Sequence, residues 1–262
     1  MKMPFAMPLS VCVTHWKFIR EERIKFLSKF EKKNSMKKGI WILSVIISVA
    51  LFSCTGESAS DVNQDRIYTE YEQFYNSNTG TTTVIARFRF GSALGTLLEL
   101  DSTDNVKFNG DDLPYSIFWG GHVKEYVGNI APGTFVYTNL DGNVFTNTVP
   151  AFEAIDFPLG FSQLSRTAAY DFQWTGSALS QNQEVGVFIG SWAWGDDTWN
   201  FTSSVGATNM VFGINSLSNL PLGTSTVYLD RATRKTNIQG TSKGGVIKGT
   251  FRAPNRVINV IN

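Results

Sequence analysis

The sequence predicts an all-β protein built from antiparallel β-sandwiches, and three observations carry that expectation. Residues 81–90 alternate Val84, Ala86, Phe88 and Phe90 on one side with Ile85, Arg87 and Arg89 on the other. That period of 2 is what a strand with one buried face requires. Asp141-Gly142 separates two β-rich runs, Phe135–Leu140 and Asn143–Val149, and an Asp-Gly pair tolerates the positive φ of a hairpin turn. Nothing after Cys54 sustains a helical period for the length of an ordinary helix.

Taken in chain order, residues 1–35 come first and are expected to be an upstream extension, with the true start at Met36. Lys37 and Lys38 precede thirteen uncharged residues, Ile40–Phe52. That run is short of the roughly 20 residues a spanning helix needs and fits the apolar core of a signal peptide, residues 36–53. It ends in Leu51-Phe52-Ser53-Cys54, which resembles the lipobox of bacterial lipoproteins. The resemblance implies cleavage between Ser53 and Cys54 and acylation of the Cys54 thiol, palmitate included, to give an N-terminal membrane anchor. Several acyl chains are needed for durable attachment, because one holds only marginally.

Residues 54–67 are polar, acidic and almost free of large apolar groups, the composition of a flexible tether. The acids Glu57, Asp61 and Asp65 loosely resemble the export signals of Bacteroidetes surface lipoproteins. The expected location is therefore the bacterial cell envelope, at the outer membrane, with exposure on the surface favoured.

Tyr68–Phe74 reads as one or two helical turns. Beyond 81–90 and the Asp-Gly hairpin, strands are expected at Thr96–Glu99, Tyr115–Phe118, Tyr170–Trp174, Val185–Ile189, Met210–Ile214, Thr224–Leu229, Gly245–Phe251 and Val257–Ile261. A body of this length is large for one small sandwich and comfortable for two. Pro150 and Pro158 bracket a natural joint, which divides it into residues 68–157 and 158–262. Asn129–Tyr137 also aligns with Asn219–Tyr228 if one residue is inserted, a weak internal repeat.

The Gly133-Thr-Phe-x-Tyr137, Asp141-Gly142 and Phe145-Thr-Asn147 hairpin, and Leu217-x-x-Leu220-x-x-Gly223 leading to Arg231, resemble the two-domain β-sandwich lipoproteins of Bacteroidetes. The resemblance implies two immunoglobulin-like domains at the cell surface. It implies no catalytic role.

Charge and composition exclude several functions. Residues 1–53 hold ten basic and three acidic residues, a net +7, and the remainder holds thirteen and nineteen, a net −6. A phosphate-binding surface needs concentrated Lys and Arg, so nucleic acid is not an expected partner. Both cysteines, Cys12 and Cys54, precede the body, which therefore has no disulfide framework and no cysteine zinc site. No cofactor is expected.

The richest local feature is Gly190–Phe201, with Trp192, Trp194, Trp199, Asp196 and Asp197. Tryptophans two apart in a strand face one way, which suits an aromatic platform for a sugar ring, with the aspartates accepting hydrogen bonds. The competing account is packing at a sandwich edge. Asp196-Asp197, with Asp104, Asp111 or Asp112, lacks the alternating acids of a calcium loop. His122 sits in a glycine-rich segment with no placed nucleophile, and is expected to be a loop histidine. Gly240–Gly249 lacks the Gly-Lys-Ser/Thr ending of a phosphate loop and reads as a turn into a strand.

The expected function is a non-catalytic, lipid-anchored binding module for a glycan or an envelope protein. The alternatives are an assembly subunit without a small ligand and, third, a carbohydrate hydrolase using two opposed carboxylates.

Overall fold

A computed structural model describes residues 57–101, 105–190 and 195–262. The leader, Ser53, Cys54, Asp104, Trp192 and Trp194 lie outside the described residues.

The first half contributes β1 Glu57–Ser58, β2 Ile67–Asn76, β3 Thr81–Phe90, β4 Leu97–Glu99, β5 Asn105–Phe108, β6 Asp111–Asp112, β7 Tyr115–Ser116, β8 Gly121–Val127, β9 Thr134–Thr138 and β10 Val144–Thr148. The second contributes β11 Gln163–Ser165, β12 Tyr170–Gln173, β13 Gln183–Ile189, β14 Thr198–Thr202, β15 Asn209–Phe212, the short helix α1 Ile214–Leu217, β16 Gly223–Lys235, β17 Gly245–Arg252 and β18 Arg256–Ile261.

One mixed sheet of twelve strands runs through both halves in the order β1-β4-β3-β2-β17-β16-β13-β14, with β7 and β8 added at β3 and β11 and β18 at β16. The join is β17. It pairs in parallel with β2 from Gly245↔Thr69 to Arg252↔Asn76, and antiparallel with β16 from Asp230↔Arg252 to Lys235↔Ile247. Strand β16 is long enough to take two partners on one edge, β18 along Gly223–Val227 and β17 along Asp230–Lys235.

Two smaller sheets cover two separate cores on one side of this layer. The order β10-β9-β5-β6 brings Val106, Phe108, Phe135 and Tyr137 down onto Tyr71, Val84 and Phe88. The pair β12-β15 brings Phe172 and Phe212 onto Val185, Val187, Leu229 and Ile258. Each large apolar side chain buried in this way contributes roughly 1.5–3 kcal/mol. Strand β17 serves both, with Ile247 in the first core and Phe251 packed against the second.

The segment between the halves is fixed in place. Phe152 occupies the space that a side chain at Gly249 would need. Glu153 accepts hydrogen bonds from Ser177 and Gln183, and lies 3.2 Å from the guanidinium of Arg231, which is 0% exposed. Ile155 and Phe157 belong to the second core, and Asp156 and Thr175 form an antiparallel bridge.

Most strands fall where periodicity puts them, β3 to the residue. Tyr68–Phe74 is corrected, since it lies inside strand β2. Ile67, Tyr71 and Phe74 imitate a helical stripe, but Thr69 and Gln73 are buried beside them. Gln73 fills its hydrogen bonds from the 130–133 segment, donating to Ile130 O and accepting from Gly133 N, both at 3.0 Å.

The flexible tether is corrected from Glu57 onward. Strand β1 pairs with β4, and Ser58 and Asn63 cap two short 3-10 turns. Ala59 is buried, and Gln64 Nε2 donates to its carbonyl at 2.7 Å. The polar residues that suggest a linker are capping residues here. The Asp-Gly hairpin forms with a wider loop, Asn139–Asn143, closed by Gly142 N–H on Asn139 O at 2.9 Å. Gly142 takes the positive φ, 77°. Ile214 starts α1 rather than ending β15.

Candidate functional site

The side of the large sheet opposite the two cores carries the most distinctive chemistry. Its edge is β14, where Thr198 is buried and Trp199 and Phe201 point outward, 48% and 49% exposed. On the neighbouring β13, Val185, Val187 and Ile189 enter the core, so Gly186 and Phe188 take the outward positions. The register sets Trp199 opposite Phe188 and Phe188 opposite Tyr228 of β16. Ring centroids lie 6.3 and 5.8 Å apart along that row. The Trp199 indole leans over Gly186, where a Cβ would come 2.9 Å from its Cζ2. A glycine is needed there because the ring uses the space.

Beyond the aromatic row, ion pairs cross the sheet. Arg252 of β17 grips Asp230 of β16 with two hydrogen bonds, Nε to Oδ1 at 2.7 Å and Nη2 to Oδ2 at 2.6 Å. The same guanidinium lies 5.0 Å from the Phe74 ring centroid and 5.5 Å from that of Tyr228. Such forked, ring-stacked geometry is specific to arginine. Lys248 meets Glu72 at 2.9 Å, and Thr250 donates to the same carboxylate at 3.0 Å. Burial would raise the Glu72 carboxyl, but Lys248, Arg87 and Thr250 together hold it below the ordinary value. Arg89 and Glu70 close the row at 3.4 Å.

These charges belong to four strands, β2, β3, β16 and β17, and are partly buried, which fixes their orientation. They are arranged to donate and accept hydrogen bonds beside flat apolar rings. Flat apolar rings beside polar groups are the general ingredients of a ligand-binding face.

The predicted candidates are placed unevenly. Trp199 stands on this face. Asp196 and Asp197 lie in the turn before β14. Asp197 packs on Gly190, and its carboxyl is raised by burial and by Asp196. Trp192 and Trp194 lie outside the described residues. Phe188, Tyr228, Asp230, Arg252, Lys248 and Glu72 are additions that the sequence alone did not select. Their one sequence signal is the period of 2 at which charged or aromatic residues recur on the outward positions of β2, Tyr68, Glu70, Glu72 and Phe74.

His122 is corrected from a loop residue to a buried residue of strand β8. Its Nδ1 donates to Leu113 O at 3.0 Å and its Nε2 accepts from Leu100 N–H at 3.3 Å. Burial lowers its pKa. It lines a cavity of about 400 Å³ with Glu99, Asp101, Asp112 and Tyr115. Both ring nitrogens are committed to backbone, so the imidazole braces the fold and is not poised as a base. Among the described residues no group of three or more His, Cys, Asp or Glu is arranged to hold a metal.

Comparison with protein-family models and with curated protein sequences returns no match.

Proposed function

We propose that this chain is a lipid-anchored protein of the bacterial envelope, held at the outer membrane through Cys54, that binds a glycan without catalysis. The observation that carries this reading is the exposed Trp199 ring at the head of a row that passes through Phe188 and Tyr228 to the Arg252–Asp230 pair. Arg252, Lys248 and Arg89 already have carboxylate partners, which favours a neutral glycan over a polyanion. The architecture belongs to the same proposal as two immunoglobulin-like sandwiches that share one sheet. Two cores, each capped by its own small sheet, support that description.

The test is a screen of neutral and acidic polysaccharides against the purified protein, read by tryptophan fluorescence. Saturable binding is expected for a neutral polymer and is lost in Trp199→Ala and Arg252→Met variants that keep the wild-type circular dichroism. A folded protein that binds no polymer would sink the glycan reading. It would leave the assembly-subunit alternative, for which β14 offers a sheet edge able to accept a partner's strand.

A further inference from the structure

Exposed apolar side chains occur in both halves of the fold, and three of them lie in two connections of the first half. Leu94 is 79% exposed, Ile117 66% and Phe118 83%. Leu94 lies between β3 and β4, and Ile117 and Phe118 lie between β7 and β8.

Two outward arginines of β3 hold these connections together. Arg89 Nη1 donates to Gly95 O at 3.2 Å, and Arg87 Nη2 donates to Trp119 O at 3.5 Å. Residues two apart on a strand are roughly 7 Å from each other. Gly120 also packs on Leu97, with a Cβ position 3.3 Å from Leu97 Cδ1. The two apolar connections therefore form one tip of the molecule.

The chain enters the fold at that tip. Strand β1 runs parallel to β4, with Glu57 beside Leu98 and Ser58 beside Glu99. Glu57, the first described residue, therefore lies at the Leu97 end of β4, where the Leu94 connection ends. Cys54 is three residues before Glu57, and three residues span at most about 11 Å. An acyl chain on Cys54 is thus tethered within reach of this tip. Arg66 stands just behind, its guanidinium 4.7 Å from the Phe90 ring centroid. A guanidinium behind exposed apolar side chains matches the layering of headgroups over acyl chains.

We infer that Leu94, Ile117 and Phe118 dip into the bilayer that holds the lipid anchor, so that the protein stands on the membrane in a fixed orientation. The inference rests on the lipid-anchor reading. Apolar groups seated at the headgroup boundary add buried area to that of the acyl chains, and Arg66 faces lipid phosphate. A domain held at this tip and by the anchor leans in one direction, which a single flexible attachment would not impose.

The experiment uses the full chain, processed in a lipoprotein-producing bacterium and returned to vesicles of phosphatidylethanolamine and phosphatidylglycerol with brominated acyl chains in part of the lipid. Leu94→Cys, Phe118→Cys and, as a control in the other half, Leu159→Cys each carry a polarity-sensitive fluorophore. Leu159 is fully exposed, so none of the three replaces a core residue. Acylation of Cys54 is read by mass spectrometry on the same samples.

The expected result is acylated, vesicle-bound protein whose probes at 94 and 118 brighten several-fold, shift to the blue and are quenched by bromine, while the probe at 159 does not change. Acylated, vesicle-bound protein with all three probes equally aqueous would overturn the seated tip and leave the anchor standing. An unmodified Cys54 would overturn the anchor and the tip with it.

Discussion

Trp199 lies across Gly186 on the adjacent strand, so closely that a Cβ at position 186 would come within 2.9 Å of the ring. The relationship is diagonal across the β13–β14 pair, since the residue opposite Gly186 is Phe201. A Val side chain at Gly186 would lift the indole off the sheet. Gly186→Val is expected to cost about 1–3 kcal/mol, as overpacking does. It should also abolish the near-ultraviolet dichroism of Trp199 and weaken glycan binding as much as Trp199→Ala. A variant with wild-type dichroism would show that the ring does not depend on the glycine.

Arg231 makes the second strong prediction. Its guanidinium donates to Ser177 O at 2.9 Å, Ala178 O at 3.3 Å and Gln183 Oε1 at 2.7 Å. Glu153 is the carboxylate beside it. Removing the cation leaves Ala178 O without this donor, while Ser177 O keeps Trp174 Nε1 and Gln183 Oε1 keeps Ser180 N–H, so the expected loss is about 1–3 kcal/mol. Arg231→Met should lower the urea midpoint accordingly. Arg231→Lys should recover only part, because an ammonium lacks the planar fork.

The segment linking the halves should respond to Gly249. A Val at that position would displace Phe152 from β17. Gly249→Val is expected to expose residues 150–158 to limited proteolysis while the wild-type protein resists. Equal resistance would mean that Phe152 does not hold the segment.

Acid should destabilise the fold in two stages. His122 is held neutral by burial, and its Nε2 must stay unprotonated to accept from Leu100 N–H. A group whose folded pKa is depressed contributes stability that is full above its unfolded value, about 6.5 for histidine, and is lost as pH falls through the folded value. Glu72 follows the same sign lower down, starting from the ordinary carboxylate range near about 4. Urea midpoints measured against pH should therefore begin to fall below about pH 6.5 and fall again below about pH 4. His122→Gln should remove the first step and Glu72→Gln the second. A profile that stays flat as pH falls below about 6.5 in the wild type would contradict the role given to His122.

The residues of β3, β13 and β17 show how much could be read directly. Alternation at a period of 2 is a local property, visible wherever one face is apolar and the other polar. It fails at β2, where Thr69 and Gln73 sit on the buried face and aromatic residues occur on both. Only the acceptors and donors of the 130–133 segment make a buried Gln73 stable there. Likewise, Ser58 and Asn63 read as linker residues until their backbone partners are present.

The β class, the positions of most strands, the resemblance of Leu51–Cys54 to a lipobox, and Trp199 as a residue of interest are legible in the sequence. Those are set by neighbours in the chain. The tertiary structure decided that β17 would join β2 to β16 in one sheet, that Arg252 would meet Asp230 beside the aromatic row, and that Leu94 would share a tip with Phe118. Each of these depends on strand order and register between segments far apart in sequence. Closing such long loops is favourable only when the whole sheet forms, so no local pattern records the partners in advance.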